Sequence, residues 1–226
     1  MQITTKNKRK TLRKAVILAS AISLVAAIVF VTFEPTIMSA AANTAVVTAT
    51  VTEEVTISAP LDADFSGTIP GVSGNPGAPV TASLTWRVKT NNAQGFDMSL
   101  AASQANALFQ DGTYYFSDYG TPPTPTFGWT GPSAGAASFG FTIATATATD
   151  TITAFRDGGA SCGTGNNTGG CWAGFNGTTP ITVVHRTSLT DVNGQDEVVN
   201  FRAESNAKLL NEGDYSATIT ATASLN

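Results

Sequence analysis

The sequence has little of what nucleophilic enzymes and metal sites need. It contains one histidine, His185, and two cysteines, Cys162 and Cys171, and only 12% of its residues are charged. A Cys/His nucleophile needs a free thiol beside a histidine, and a Ser/His/Asp set would have to use His185. We expect no catalytic residues here. We expect His185 to be a hydrogen-bonded core or edge histidine, on the same strand face as Ile181 and Val183.

Acidic residues are absent from the first part of the chain. Residues 1–14 carry six basic side chains, and the apolar run Ala15 to Phe33 follows. Glu34 and Pro35 then end any helix, and the small residues 39–42 suit signal peptidase. This pattern predicts a signal helix over residues 1–42, cleaved near Ala42. An uncleaved membrane anchor is the alternative, since nineteen residues with flanking positive charge are long enough to span a bilayer.

Either alternative exports the rest of the chain, so we expect a secreted or cell-surface protein. Six of the twelve basic residues but one of the sixteen acidic residues lie in the predicted leader, so residues 43–226 carry a net charge of −9. Such a surface repels nucleic acid and anionic lipid. We expect no nucleic-acid partner, and membrane contact only through the N-terminal segment if it stays uncleaved.

The two cysteines lie nine positions apart in a segment rich in Gly and Asn. An even number of cysteines in an exported chain predicts a disulfide, here Cys162–Cys171. A metal pair would need further ligands nearby, and His185 is fourteen residues away. Closing so short a loop is expected to stabilise the fold by roughly 2–3 kcal/mol.

Period-2 alternation of apolar and polar residues dominates the remaining chain, with no helical stripe of useful length. It predicts long half-buried strands at residues 43–58 and 215–225. It also predicts two hairpins, one over residues 80–100 and one over 180–204, the second with a type I′ turn at Asn193-Gly194. Another strand is expected to run from Phe139 to about residue 149.

Residues 60–79 and 119–138 are rich in Gly and Pro and are expected to be long loops, and a short helical turn is expected over residues 103–109. Nine or ten strands within one domain, residues 43–226, predict an all-β fold. We expect a two-sheet antiparallel β-sandwich of the Ig-like or jelly-roll type.

Oxygen-bearing side chains could serve catalysis or bind calcium. Adjacent carboxylates such as Asp196 and Glu197 could serve glycoside hydrolysis, but sequence does not fix their separation. A calcium candidate comprises Asp191, Asn193 and Asp196, although its spacing is not that of an EF-hand and a plain turn explains it. We expect no cofactor, with calcium as the alternative.

Aromatic residues are densest between positions 114 and 129. Rings beside Gly/Pro loops can stack on sugar faces while nearby carboxylates hold hydroxyl groups. The alternative is that these rings fill the core and cover a loop. The candidate ligand-binding residues are Tyr115, Asp118, Tyr119 and Trp129.

Two segments carry a resemblance to a known group of proteins. The run from Trp86 to Phe96 and the run from Gly213 to Thr222 resemble a hairpin and a terminal strand of bacterial cell-surface β-sandwich proteins, including WxL-type and pilin-like subunits. The resemblance implies a secreted, wall-associated sandwich. Residues 217–225 contain no tryptophan, so the peptidoglycan binding of WxL domains is not implied.

These observations favour an exported structural or adhesive surface protein over an enzyme. Residues 43–58 are a candidate strand for completing the sheet of a neighbouring copy. The expected partners are other surface proteins, a second copy of the chain, or glycan. A secreted carbohydrate-binding module is the alternative function, and a secreted glycan hydrolase is a third.

Overall fold

The computed structural model describes residues 46–145 and 147–226, and the leader expected over residues 1–42 lies outside them. Residues Val51–Asn226 form one compact unit. The described residues before it, 46–50, have no regular secondary structure. No helix in the described ranges is long and apolar enough to cross a membrane.

Eleven strands account for most of the regular structure. They are β1 (Val55–Ser58), β2 (Val80–Thr90), β3 (Phe96–Ala102), β4 (Leu108–Phe109), β5 (Tyr115–Asp118), β6 (Thr126–Phe127), β7 (Ala136–Ile143), β8 (Cys171–Trp172), β9 (Ile181–Arg186), β10 (Gln195–Asn206) and β11 (Ile219–Leu225). Two 3₁₀ turns, Ala148–Asp150 and Thr153–Phe155, lie between β7 and β8. The chain is therefore all-β, as the alternation predicts.

The strands form two principal sheets that share one core. The larger sheet has the order β1-β2-β10-β7-β5-β4, and the smaller has the order β11-β3-β9. Strands β6 and β8 form a separate two-stranded ribbon. All pairs are antiparallel except β5–β7, which is parallel and departs from the purely antiparallel expectation.

The pleat explains which side chains enter the core. Successive side chains of a strand point to opposite faces, so alternate residues of β2, β3 and β10 face the same way. Trp86 and Val88 of the larger sheet are buried, and Phe96 and Met98 of the smaller sheet are fully buried. Together with Phe139 and other apolar residues they form one hydrophobic cluster. The strand alternation seen in the sequence is thus produced by burial between the sheets.

Both predicted hairpins are wrong. Strand β2 pairs with β1 and β10, whereas β3 pairs with β9 and β11, so residues 91–95 connect two different sheets. Likewise β9 and β10 lie in different sheets. The chain turns across the core at both places and forms arches. Alternation specifies which face of each strand is buried, but a hairpin and an arch bury the same residues.

Side-chain hydrogen bonds hold the first arch. The buried Asn92 side chain accepts from the backbone N–H of Gln94 (2.9 Å) and donates to the carbonyl of Gly95 (3.2 Å). Gly95 has φ of 87° and lies so close to the backbone of Arg186 that a Cβ there would be 1.9 Å from its carbonyl oxygen. Only glycine fits this conformation and this close approach.

Several element boundaries differ from the sequence prediction. In the predicted strand at 43–58 only Val55–Ser58 is a strand, residues 46–54 have no regular structure, and residues 43–45 lie outside the described ranges. Strand β7 ends at Ile143 and does not continue to residue 149. The predicted helical turn at 103–109 is replaced by bends and the short strand β4.

The second arch also corrects the predicted turn. Only Gly194 has a positive φ there, and Asn193 does not, so the turn is not type I′. Instead Asp191 stabilises it, because its carboxylate accepts from the backbone N–H of Asn193 (2.7 Å).

Candidate functional site

Two of the four predicted ligand-binding residues lie together on the outer face of the larger sheet. The rings of Tyr119 and Trp129 stack with centroids 4.3 Å apart, and Trp172 meets Trp129 edge-on at 5.4 Å. Arg202 of β10 lies over the Trp172 ring at 4.3 Å, and the Trp129 indole N–H donates to Glu204 (2.6 Å). We call Tyr119, Trp129, Trp172, Arg202 and Glu204 the outer cluster.

The sheet beneath the outer cluster is shaped to receive it. Gly140 of β7 has no side chain there, and a Cβ would be 2.7 Å from the Tyr119 Cβ and 3.3 Å from the Trp129 ring. The Tyr119 hydroxyl donates to the carbonyl of Gly128 (3.1 Å) and accepts from the N–H of Thr130 (3.0 Å). Tyr119 is 6% exposed and Trp172 is 4% exposed. These rings therefore pack against one another and cover the sheet, and sugar binding by them stays a prediction.

The other two candidates have separate structural partners. The Tyr115 ring packs against Lys208, whose ammonium lies 4.0 Å from the ring centroid. The Asp118 carboxylate accepts from the backbone N–H groups of Asn106 (2.8 Å) and Ala107 (3.2 Å), and burial raises the pKa of Asp118. Asp118 thus holds the loop before β4, and these bonds occupy both of its carboxylate oxygens.

The predicted orientation of His185 is wrong. It faces outward on the edge strand β9 and hydrogen-bonds to Asp97 (2.6 Å). The β3–β9 register shifts between Met98 and Ser99, so that Val183 is skipped. Val183 and Val184 are both buried as a result, and every later side chain of β9 points to the opposite face. The expected hydrogen bond at a sheet edge is present.

Two of the three calcium candidates, Asp191 and Asp196, have other hydrogen-bond partners. Asp191 holds its own turn, and Asp196 forms a two-pronged ion pair with Arg87 (2.6 and 2.8 Å). The Arg87 guanidinium lowers the pKa of Asp196. Within residues 46–145 and 147–226 there is no group of three or more His, Cys, Asp or Glu side chains placed to hold a metal ion.

Ser133 occupies the centre of a Gly-x-Ser-x-Gly sequence, residues 131–135. The nucleophile elbow of hydrolases needs a sharp turn from a strand into a helix. Here Ser133 is exposed in the loop before β7, and its carbonyl accepts from the N–H of Ala136 (3.0 Å). The motif is therefore an ordinary turn.

Glu197 is the most unusual ionisable residue in the described chain. It belongs to the inner face of β10, opposite Trp86, and is fully buried. Neither carboxylate oxygen has a hydrogen-bond partner among the described residues, and the Thr145 hydroxyl donates instead to the carbonyl of Asp196 (2.9 Å). Burial raises the pKa of Glu197 to about 7, and the nearby Arg186 guanidinium, paired with Asp150 at 2.5 Å, partly offsets this rise. In the sequence, residue 197 alternates in phase with the apolar residues Val199 and Phe201. This pattern could have predicted that Glu197 is buried.

The predicted disulfide is confirmed. Cys162 and Cys171 are bonded, with Cα atoms 5.7 Å apart. Cys171 begins β8 and is fully buried, so the bridge ties the Gly/Asn loop to the ribbon that carries Trp172. A disulfide is typical of a non-reducing compartment.

An open pocket lies beside β9. It has a volume of about 420 Å³ and is lined by apolar and hydroxyl-bearing residues, namely Pro123, Thr124, Pro125, Ile152, Ala154, Phe155, Pro180, Ile181 and Thr182. No charged side chain lines it, so it offers no group for acid–base chemistry.

The clearest unpaired feature is the segment that leads into β1. Residues 47–52 alternate apolar and polar side chains, yet Val46, Val47 and Val51 are 88%, 93% and 82% exposed. Two hydrogen bonds from the Asn91 side chain hold the last part of the segment. The Asn91 side-chain NH2 group donates to the carbonyl of Thr52 (2.8 Å), and the Asn91 side-chain oxygen accepts from the N–H of Glu54 (2.7 Å). The segment thus has the residue pattern of a strand but no strand partner among the described residues.

Comparisons with protein families, with curated proteins and with solved structures found no match.

Proposed function

We propose that this chain is an exported structural protein of the cell surface that assembles by donating residues 46–52 to the sheet of a neighbouring copy. The exposure of Val47 and Val51 is the observation that supports this proposal. Both valines are more than 80% exposed within an alternating Val/Ala/Thr segment. Apolar side chains in such a pattern are stabilised when the strand pairs and one face is covered.

The rest of the molecule is consistent with a surface role. The two packed sheets fit a sandwich of Ig-like or jelly-roll type, and the disulfide suits a protein that is secreted or cell-surface bound. Two of the aromatic residues that would serve a carbohydrate-binding module, Tyr119 and Trp129, stack on each other in the outer cluster. Adhesion to other surface proteins or glycan would then use the assembled form. The basic, apolar leader supports export by signal peptide or anchor.

The test compares substitutions on the two faces of the segment in the full chain. The double variant Val47→Glu, Val51→Glu places charge on the apolar face, and Thr48→Glu, Thr52→Glu places the same charge on the hydroxyl face. All four residues are exposed, so neither change should affect folding of the unit itself. Light scattering and electron microscopy would measure assembly.

We expect the valine variant to remain monomeric and the threonine variant to assemble like the wild type. An unchanged size distribution in the valine variant would overturn strand donation. A glycan array on the same proteins addresses the alternative, because strong binding that is lost in Trp129→Ala would favour a carbohydrate-binding module.

A further inference from the structure

One side of the core is less well covered than the rest. The inward-facing residues of β3, such as Phe96, Met98 and Leu100, are 0% exposed. The inward-facing residues of β11, Ile219, Ala221 and Ala223, are only half-buried, and so are Val55 and Ile57 of β1. Both strands are terminal in their sheets.

The two strands lie next to each other without being paired. Strands β1 and β11 are in contact, but in the described part of the chain no backbone hydrogen bond joins them. Strand β11 pairs with β3 along one edge only. Half of the backbone N–H and C=O groups of an edge strand point away from its sheet and are free to pair with another chain.

The composition of β11 makes it a receptive edge. Natural edge strands are protected by lysine, proline, bulges or short length. β11 has seven residues, Ile219–Leu225, with none of these residues and no irregularity in its register with β3. Strand β1 has only four residues, and Glu53, Glu54 and Pro60 lie close to it. Of the two edges, β11 is therefore the one left open.

From these observations we infer that the free edge of β11 is the acceptor for residues 46–52 of a second copy. This inference rests on the proposed strand donation and names the surface that receives the strand. At about 3.3 Å per residue, seven donor residues span the same length as the seven residues of β11. Val47, Ala49 and Val51 of the donor would face inward, beside the small side chains Ala221 and Ala223, and would cover the half-buried apolar residues of β1.

The donor's own edge is not the favoured acceptor. The side chain of Asn91 bonds the backbone of Thr52 and Glu54 and so holds these residues in line with β1. A strand that returned to its own β11 would have to break these bonds and reverse direction within a few residues. A second copy meets no such restriction.

Cysteine cross-linking between two full-length variants tests the assignment. One variant carries Thr50→Cys on the outward face of the donor, and the other carries Thr220→Cys, Thr222→Cys or Ser224→Cys on the outward face of β11. All four positions are exposed, and directly opposite residues in a strand pair have Cβ atoms about 5 Å apart. Variants are mixed as pairs and oxidised with copper–phenanthroline. Acceptor controls are Thr56→Cys on β1 and Thr182→Cys on the other edge strand, β9.

We expect a disulfide-linked dimer with at least one of the three β11 positions and at least tenfold less with either control. Cross-linking through β1 or β9 in place of β11 would overturn the acceptor assignment while leaving strand donation intact. A Thr50→Cys, Thr222→Cys double variant that cross-links only within one chain would also overturn it. If neither the wild type nor any variant assembles, the result contradicts the proposed function itself.

Discussion

Glu197 shows how one residue departs from the logic of its strand. Alternation along β10 requires an inward side chain at this position, and a carboxyl group occupies it without a hydrogen-bond partner among the described residues. A buried carboxylate is costly, so the fold favours the protonated form and raises the pKa to about 7 from an ordinary value of 4.5. Asp150 and Asp196 raise the pKa further, whereas Arg186 lowers it in part.

The sign of the pH dependence follows from this rise. Between pH 4.5 and about 7 the unfolded chain releases the proton that the native state retains, so the free energy of unfolding falls as the pH rises through this window. The loss should reach roughly 3 kcal/mol above pH 7.

We predict that Glu197→Gln abolishes this contribution. The stability of the variant relative to wild type should increase between pH 5 and pH 8, as measured by denaturant unfolding at each pH. Glu212→Gln, at an exposed position, is the control and should leave the wild-type pH dependence intact. Parallel pH profiles for wild type and Glu197→Gln would show that Glu197 does not titrate in this range.

Gly140 is the residue on which the outer cluster depends. A Cβ at this position would be 2.7 Å from the carbonyl oxygen of Ala173 and 2.7 Å from the Tyr119 Cβ. Because one of these neighbours is backbone, the contact cannot be relieved by a rotamer change. We predict that Gly140→Ala destabilises the fold by about 1–3 kcal/mol and weakens the near-ultraviolet circular dichroism of the stacked Tyr119 and Trp129 rings.

Gly112→Ala is the matched control, since a Cβ at Gly112 meets no atom within 4 Å. If both alanine variants unfold at the same denaturant concentration as wild type, the sheet surface must be able to shift and the close packing of the outer cluster is not required for stability.

The elements show which parts of the fold the sequence could predict. The buried faces of β2, β3 and β10 follow from period-2 alternation, which burial imposes directly. Alternation does not predict which strands pair, because Trp86 and Phe96 face one core whether residues 91–95 form a hairpin or an arch. The prediction that His185 faces inward was also wrong. The register shift beside Val183 causes this, and the residue types of β9 do not reveal such a shift.

The candidate site was predictable only as a collection of residue types. Aromatic residues are dense between positions 114 and 129, and two of them, Tyr119 and Trp129, stack on each other. Glu204, which accepts from the Trp129 indole N–H, comes from β10, 75 residues further along the chain. Contacts of that kind arise from sheet order. Sequence separation therefore hid the structural role of the outer cluster.

Gly95 lies in the first arch, where it has both a left-handed conformation and a close contact with the backbone of Arg186. Comparing its substitution with that of Gly159 separates the energetic costs of these two features. Gly95 and Gly159 have nearly equal φ values, 87° and 89°, but a Cβ would meet the Arg186 backbone at Gly95 and nothing within 4 Å at Gly159. Gly159→Ala should cost about 1 kcal/mol for the left-handed conformation alone. Gly95→Ala should cost several times as much in chemical denaturation, and equal losses would show that the arch moves freely.

The disulfide is the covalent link between the Gly/Asn loop and β8. We predict that the double variant Cys162→Ser, Cys171→Ser loses roughly 2–3 kcal/mol of unfolding free energy in urea, because the bridge restricts the unfolded chain. Wild type treated with a reductant should lose a similar amount, which controls for the buried hydroxyl that the serine at position 171 introduces. A stable double variant would mean that β8 is held by the outer cluster alone.

At the scale of the whole molecule, the larger sheet and the segment 46–54 differ in burial. Phe139 is buried on one face of the sheet and Trp172 on the other, whereas Val47 and Val51 of the segment are more than 80% exposed. Such exposure is a liability in a free monomer and an advantage in an assembly, where pairing covers the same side chains. The proposed assembly therefore explains why an alternating strand sequence is left unpaired.

Proteolysis measures this difference directly. Glu53 and Glu54 are exposed between the donor residues and β1, so a Glu-specific protease should cut there rapidly in the monomer. In the assembled form the donor is paired with a neighbour on one side and held by Asn91 on the other, which removes the local freedom that cleavage needs. We predict that cleavage after residues 53 and 54, measured by mass spectrometry, is at least tenfold slower in assemblies than in monomers.

Cleavage in the loop at Glu212, which is exposed and lies outside the proposed interface, serves as the internal control and should proceed equally in both forms. If cleavage after residues 53 and 54 is equally fast in monomers and assemblies, assembly does not involve the segment, and the donated strand lies elsewhere in the chain.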